Sequence, residues 1–478
     1  MKVLLFGTGD YYQRYKKWFR QQEVVALLDN SVQKQHMVID GAEVLAPEEG
    51  VRLNYDMIVI LSFYVEQMKR QLLSLGVEKE RICHFYELPR LFRRFNNNRI
   101  RIPLQYHLNA REIIMSDIIS DYKILLMSTD LVLGGPSIAL FHAAKVLKEQ
   151  GYTVIFASMW DGPLREYLTQ CGIPVVIDEN LPVSTMKETE WVNVFSLIIC
   201  NTMNFHIFLS ERELEIPVIW WLHDARFFYD GVDREVIGKV RPDNLKTVSV
   251  GHVPVDAIRE FLPNLACEDL LYAVQDVKDA YAEREGTDSD EITCFITIGF
   301  LEDIKGQDIL IRAVRKLEDG IRRKCRFYIV GHDRTLLGAR IHKESADIEE
   351  IVLTGSVDRE RIHELLEDSD VLVCPSRQDS MPTVAAEAMM HALPCILSDA
   401  VGTASYIHDG QDGFVFPCGD ADALSLKMEW CVKHKEEVRV MGKEARKLYE
   451  AYFSMSAFTE RLLEIMRELL PSVGGEKL

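Results

Sequence analysis

Asp379 and Glu387 stand eight positions apart, on either side of a strand-to-helix junction in which Val371 to Ser376 runs into Met381-Pro382-Thr383-Val384-Ala385-Ala386-Glu387. A carboxylate accepts two hydrogen bonds from a vicinal diol, so two acids at such a junction can hold the hydroxyls of a ribose or a sugar. The structural alternative is that Asp379 caps the helix while Glu387 faces water. Glu387 is set among Val384, Ala385, Ala386, Ala388 and Met389, and a charge in so apolar a stretch requires a partner. Lys305 closes the loop that begins at Gly299, where an ammonium at a helix mouth either meets a diphosphate or is simply a surface charge. Gly134 and Gly135 precede a helix with Pro136 near its first turn, an arrangement that leaves backbone N–H groups open to an anion but is shared by plain strand-to-helix turns. Near the amino terminus, Gly7-Thr8-Gly9 follows the first strand and Asp29 ends the second, the offset of a ribose-binding acid, although Tyr12 stands where a third glycine belongs.

These residues need strands and helices to aim them. Short Val, Ile and Leu runs alternate with helix-period segments throughout, the pattern of parallel sheets covered on both faces, so the class is α/β. A first series (KVLLFG, VVALLD, MIVILS, ICHFYE) makes a small Rossmann-like module over residues 1–95, followed by a basic linker over 96–122. A second series, from KILLMS through TVIFAS, PVVID, LIICNT and VIWWLHD to TVSVGH, makes a domain over 123–281. The polar stretch 282–291 reads as a hinge, and TCFITIG, RFYIVG, EIVLTG, VLVCPS, PCILSD and GFVFP make a third domain over 292–452, with a last helical segment over 453–478.

The bulk composition narrows the partners. A net charge of -19 repels nucleic acid, whose binding depends on lysine and arginine displacing counterions. The ten cysteines form no C-x-x-C pair, which speaks against a zinc site or a disulfide framework and for a reducing compartment. No apolar run reaches the ~20 residues of a membrane span, so the expected location is cytoplasmic. The stretch from Arg90 to Arg101 offers either a solvated linker or a weak peripheral contact with the inner membrane face.

Taken jointly, these motifs resemble glycosyltransferase family 4, whose signature is a pair of acids spaced Glu-x7-Glu. Asp379 and Glu387 have that spacing, IGFLEDIKG resembles the family's G-R-L-x3-K-G segment, and VIWWLHDARF puts His223 where the family has a histidine beside the reacting sugar. The likeness covers about residues 123 to 470. It implies a GT-B fold, two facing Rossmann-like domains, here preceded by the small parallel-sheet module, with the last helix crossing back to the first of them. It also implies a nucleotide diphosphate sugar as donor substrate with neither cofactor nor metal, retention of configuration, and a glycan, glycolipid or protein acceptor in surface polysaccharide or glycoconjugate assembly. By the same likeness Glu387 holds the ribose, Asp379 holds the donor sugar, and His223 lies near the reacting carbon. Lys305 meets the diphosphate with the amides of Gly134, Gly135 and the helix start; Gly299, Arg377, Ser380, Met381, Pro382, Thr383 and Val384 complete the donor site.

Two departures from the pattern stand out. Asp379 is one methylene shorter than the usual glutamate, and Phe300 replaces an arginine, leaving Arg377 as the substitute cation. They keep open a non-catalytic pseudo-transferase that binds or stabilises a partner; a phosphorylase or nucleotide-sugar epimerase on the same fold is the other rival. The first module resembles those ahead of some bacterial sugar-modifying enzymes, and there a nucleotide site at Gly7, Gly9 and Asp29 competes with a purely structural or dimerising role.

Overall fold

The computed structural model describes residues 1–88, 91, 101–116, 122–278, 292–333 and 336–470. The expected hinge over 282–291 lies outside these residues, as does nearly all of the basic stretch from Arg90. The chain divides into two compact units, residues 1–220, 226–246 and 259–265 in one and 221–225, 247–258 and 266–478 in the other.

The first sheet contains β1 (Lys2–Phe6), β2 (Glu23–Leu28), β3 (Val38–Ile39), β4 (Ala42–Leu45), β5 (Met57–Ile60) and β6 (Ile82–His84), in the order β3-β4-β2-β1-β5-β6. Apolar layers pack on both of its faces, which is why these strands read as continuous hydrophobic runs. The second sheet contains β7 (Gln105–His107), β8 (Lys123–Asp130), β9 (Thr153–Trp160), β10 (Val175–Ile177), β11 (Leu197–Asn201), β12 (Val218–Leu222), β13 (Leu245–Ser249) and β14 (Glu268–Asp269). Its order is β14-β13-β12-β11-β8-β9-β10-β7. The third contains β15 (Thr293–Ile298), β16 (Cys325–Val330), β17 (Ile351–Gly355), β18 (Val371–Cys374), β19 (Cys395–Ser398) and β20 (Gly413–Phe416), ordered β17-β16-β15-β18-β19-β20. Pairing in this sheet is parallel throughout, and the order reverses between β15 and β18. Ligands of open parallel sheets bind at the carboxyl ends of strands flanking such a reversal.

Within the stretch expected as a linker, Gln105–His107 pairs antiparallel with β10 and Ala110–Met115 is helical. The last helix, Met455–Leu469, stacks Phe458 on Trp221 at 5.7 Å, and its Arg461 donates to the Asp269 carbonyl and pairs with Glu268 at 2.7 Å.

The first sheet does not stand apart from the rest of its unit. Arg14 lies over the Trp160 ring at 4.7 Å and pairs with Asp130 at 3.3 Å, while Tyr15 meets Trp160 edge-on at 5.5 Å. Tyr86 donates to Asn204 at 2.8 Å, and Val183 is part of the apolar cluster beneath β1 and β5. Trp160 is the centre of this contact. Trp160→Ala is expected to lower the unfolding free energy by about 2 to 3 kcal/mol, read by urea denaturation. Arg14→Ala should cost less, and the double variant less than the sum.

Candidate active site

The loops leaving β15 and β18 line one cleft, bounded by Gly299, Lys305, Gln307, Pro375, Asp379, Pro382, Thr383 and Val384 among others. Gly306 sets the approach of the two loops. Its φ of 70° lies in the left-handed region, and a Cβ there would overlap the Pro375 carbonyl oxygen. Gly306→Ala is therefore expected to destabilise the protein by about 2 to 4 kcal/mol in thermal unfolding, because backbone strain and backbone overlap act together.

Lys305 and Asp379 meet in this cleft, Nζ to Oδ2 at 2.6 Å, with the two side chains 33% and 14% exposed. Burial works to lower the ammonium's pKa, and the Asp379 carboxylate outweighs it, so Lys305 titrates above the ordinary lysine value. The loop that carries Asp379 is pinned from several sides. Asp379 forms a bridge with Val401, Gly402 donates to its carbonyl at 2.9 Å, and Thr403 donates to the Met381 sulfur. A Cβ on Gly402 would overlap the Ser380 carbonyl.

The helix beyond begins at Thr383, with Pro382 at its N-cap and no side-chain cap. Asp379 therefore does not cap it. The amides at its start retain the anion-binding capacity of a helix N-terminus. Nor does Glu387 face water, since the residue is 2% exposed. Its Oε1 pairs with Arg359 Nη2 at 2.8 Å, and Arg359 itself is 70% exposed. Arg359, 28 positions earlier in the chain, carries no sequence signal of this role.

Arg377 is engaged elsewhere. Its guanidinium holds Asp308 with two hydrogen bonds, at 2.8 and 2.7 Å, and it is not among the residues lining the cleft. It thus does not replace the cation absent at Phe300, a residue 62% exposed beside His332. Sequence reasoning also passed over two buried groups. Tyr272 donates to the Pro382 carbonyl at 2.9 Å; burial, then the nearby Glu387 and Asp379 carboxylates, hold its phenol protonated well above the ordinary range. Gln307 donates to the Phe300 carbonyl, and its buried Oε1 has no partner among the described residues.

His223 directly follows β12, almost fully buried and tilted against Trp221 at 4.8 Å between ring centres. Burial drives its pKa down to about 3, so the imidazole is neutral at any working pH, and its Nε2 has no hydrogen-bond partner among the described residues. In the second sheet the order reverses between β8 and β11, and both strands end in polar groups. Gly134 is the N-cap of the helix Gly135–Glu149. Opposite it, Asn201 donates to the Pro136 carbonyl at 2.8 Å but leaves its buried Oδ1 unpartnered among the described residues, and Thr202 has the rare φ of 75°. Strain in a non-glycine residue at a reversal point is a common mark of a ligand site.

The geometry at the amino terminus favours the structural alternative. Asp29 Oδ2 accepts from the Thr8 amide at 3.1 Å and from the Thr8 hydroxyl, and Oδ1 accepts from the Ser31 amide at 2.9 Å. Burial works to raise this carboxyl's pKa; those hydrogen bonds and Lys34 overcome it and hold it below the usual range. Gly7, with φ 107°, lets β1 turn where a Cβ would come within 2.5 Å of the Leu61 carbonyl oxygen. Gly9 caps only a six-residue helix whose first residue is Asp10, a poor setting for a phosphate.

Among the described residues no group of three or more metal-ligating side chains is gathered, and no helix is long and apolar enough to cross a membrane. Comparison with known proteins gives three matches along the chain. Residues 1–83 match the family described as C2185-like, N-terminal; residues 120–249 match Glycosyl-transferase family 4; residues 278–448 match Glycosyl transferases group 1. The alpha-D-kanosaminyltransferase of Streptomyces kanamyceticus is 24% identical over 291 residues, covering 55% of this chain and 74% of that protein. The amylovoran biosynthesis glycosyltransferase AmsK of Erwinia amylovora is 26% identical over 182 residues, 36% of this chain and 44% of that protein, so the chain spans less than half of it. The solved structure of Anabaena Alr3699/HepE in complex with UDP and glucose superposes with a TM-score of 0.59 at 16% identity, covering 72% of this chain and 99% of that one. With glycosyltransferase family matches over two successive stretches and structural neighbours of this architecture, the chain is a glycosyltransferase of the GT-B fold.

Proposed function

We propose that this enzyme moves a sugar from a nucleotide diphosphate sugar to an acceptor hydroxyl, with retention and without a metal or cofactor. The observation that carries the proposal is a Lys305–Asp379 pair and an uncapped helix start that line one cleft at the reversal of the third sheet, with the buried Glu387 one turn along the helix that starts there. In this reading the ribose diol donates to Glu387 and the diphosphate lies against Lys305 and the free amides near Thr383. Asp379 accepts hydroxyls of the sugar. As the bond from the anomeric carbon to the diphosphate oxygen breaks, charge develops where Lys305 and those amides already stand, which stabilises the departing group without reorganisation. The acceptor oxygen attacks the same face of the ring, and its proton passes to a leaving phosphate oxygen. The neutral His223 offers its unpartnered Nε2 to a sugar hydroxyl and does not act as a general base at low pH.

The UDP and glucose held by HepE support a nucleotide-linked donor, and AmsK supports polysaccharide assembly as the setting, with a glycan or glycolipid acceptor. The active site is assigned to the cytoplasmic side of the membrane, where nucleotide sugars are made. Phe300 in place of a cation, with Arg377 committed to Asp308, favours one second reading, a sugar-binding protein that does not turn over. Acceptor-dependent release of nucleoside diphosphate, measured across a panel of nucleotide sugars, separates the two. Release that needs both substrates and fails in Lys305→Ala supports transfer; donor binding with no release under any acceptor supports the binding protein.

A further inference from the structure

The first sheet and its helices precede the two stretches that match glycosyltransferase families, and the transfer proposed above makes no use of them. Their contacts with the second sheet fall on the carboxyl ends of β8 through β12. Asp130, which ends β8, pairs with Arg14 at 3.3 Å, and Trp160, which ends β9, lies 4.7 Å from the same guanidinium. Glu179, just beyond β10, pairs with Lys17. Asn204, just beyond β11, accepts from Tyr86 at 2.8 Å. In the loop after β12, Phe227 and Phe228 meet Phe63 edge-on at 5.6 and 5.4 Å. A parallel sheet receives its ligand along this edge, and the order of the second sheet reverses between β8 and β11. With the donor assigned to the third sheet, the substrate left for this edge is the acceptor, and an acceptor arriving there meets side chains of the first module.

Those side chains suit a sugar. At the end of β8 the module presents Tyr11, whose ring lies 4.8 Å from that of Phe85 and 6.0 Å from the Arg14 guanidinium. Its hydroxyl makes no hydrogen bond among the described residues and keeps contact with solvent. Burial, opposed by Arg14 and reinforced by Asp130, holds the phenol protonated above its ordinary range, so it stands as a donor beside an ion pair. At the end of β12 the module presents Tyr64, 66% exposed and packed edge-on to Phe63, with Phe228 37% exposed on the other side of that ring. Between them Tyr86 fixes Asn204, whose amide donates to Thr129 and Thr202, both at 3.3 Å. Sugar hydroxyls pair with a phenol and an Arg–Asp couple while aromatic rings cover the apolar faces of the sugar; an acyl chain would leave those polar groups unpaired.

We propose that the first module is one wall of the acceptor site and that the acceptor is a glycan, with Tyr11 donating to a sugar hydroxyl and Tyr64 lying against a sugar ring. This rests on the transfer reading and adds to it the substrate class and the residues that select it.

The test applies the full chain to an array of immobilised bacterial oligosaccharides, without a donor, and then measures the Kd of the best-bound oligosaccharide by titration calorimetry. Tyr11→Phe keeps the ring on Phe85 and removes only the hydroxyl, and is expected to weaken binding about tenfold. Tyr64→Ala changes an exposed side chain and is expected to weaken it to a similar extent. In both variants Tm and the stabilisation by nucleoside diphosphates should equal those of the natural chain, which a merely structural role of these residues would not allow. Binding to no oligosaccharide, or equal binding by the natural chain and both variants, overturns the proposal and leaves the donor cleft untouched. Failure of the transfer reading is read separately: an oligosaccharide bound through Tyr11 and Tyr64 by a chain that no nucleotide stabilises upholds the glycan site and overturns transfer.

Discussion

Glu387→Gln is expected to reduce kcat/KM for the nucleotide sugar about a hundredfold, chiefly through donor affinity, while leaving the fold intact. The carboxylate is buried, and in the proposed complex it accepts hydrogen bonds from a diol; weakening charge-assisted bonds of this kind costs about 3 kcal/mol in total, the equivalent of that factor. The fold survives because the partner left behind, Arg359, is 70% exposed and returns to water. The opposite substitution behaves differently. Arg359→Gln leaves a buried carboxylate without its cation, so it is expected to lower stability by about 1 to 2 kcal/mol, more than Glu387→Gln does. Chemical denaturation of the two variants, set beside their donor KM values, reads this asymmetry; equal stability losses would place the pair's importance in the fold rather than in the ligand.

Lys305→Ala is expected to lower kcat by about two to three orders of magnitude, the usual cost of removing a preorganised donor from a developing charge. KM should change less, since the amides at the start of the helix Thr383–Met390 still receive the ground-state diphosphate. The pH dependence follows from the direction of the shift. Lys305 has a folded pKa above its ordinary value, so the stability it draws from Asp379 is complete below the unfolded lysine pKa of about 10.4 and is lost as pH rises through the folded value. Across about pH 6 to 9 the ammonium stays charged and gives no inflection in the rate profile. His223, already neutral down to about pH 3, gives none either.

The parallel strands were legible because both faces of each sheet are covered, which writes every strand as an unbroken apolar run of the KILLMS or VLVCPS kind. The short strands Val38–Ile39, Gln105–His107 and Glu268–Asp269 lack such runs; each lies at or beside a sheet edge with at least one residue exposed, so nothing in their composition set them apart from loops. At the site, the spacing of Asp379 and Glu387 and the apolar company of Glu387 anticipated a buried acid that needs a partner. The partner itself was invisible, because Arg359 reaches Glu387 from a different helix. Tyr272 and Gln307 were missed for the same reason, since tertiary packing rather than local pattern brings them to the cleft. The expectation that Arg377 supplies the missing cation overlooked Asp308, a closer acid on the neighbouring helix. At Asp29 the residue offset matched a ribose-binding acid, yet the Thr8 between the two glycines carries the hydroxyl and amide that occupy it.

The most direct test of the central claim is a thermal-shift comparison of the purified chain and its Glu387→Ala variant against UDP, GDP, ADP and dTDP, since a ligand that binds only the folded state raises Tm. The account predicts that at least one of these nucleotides stabilises the natural protein and that the stabilisation disappears in the variant. Stabilisation retained in Glu387→Ala, or none with any nucleotide, would contradict it.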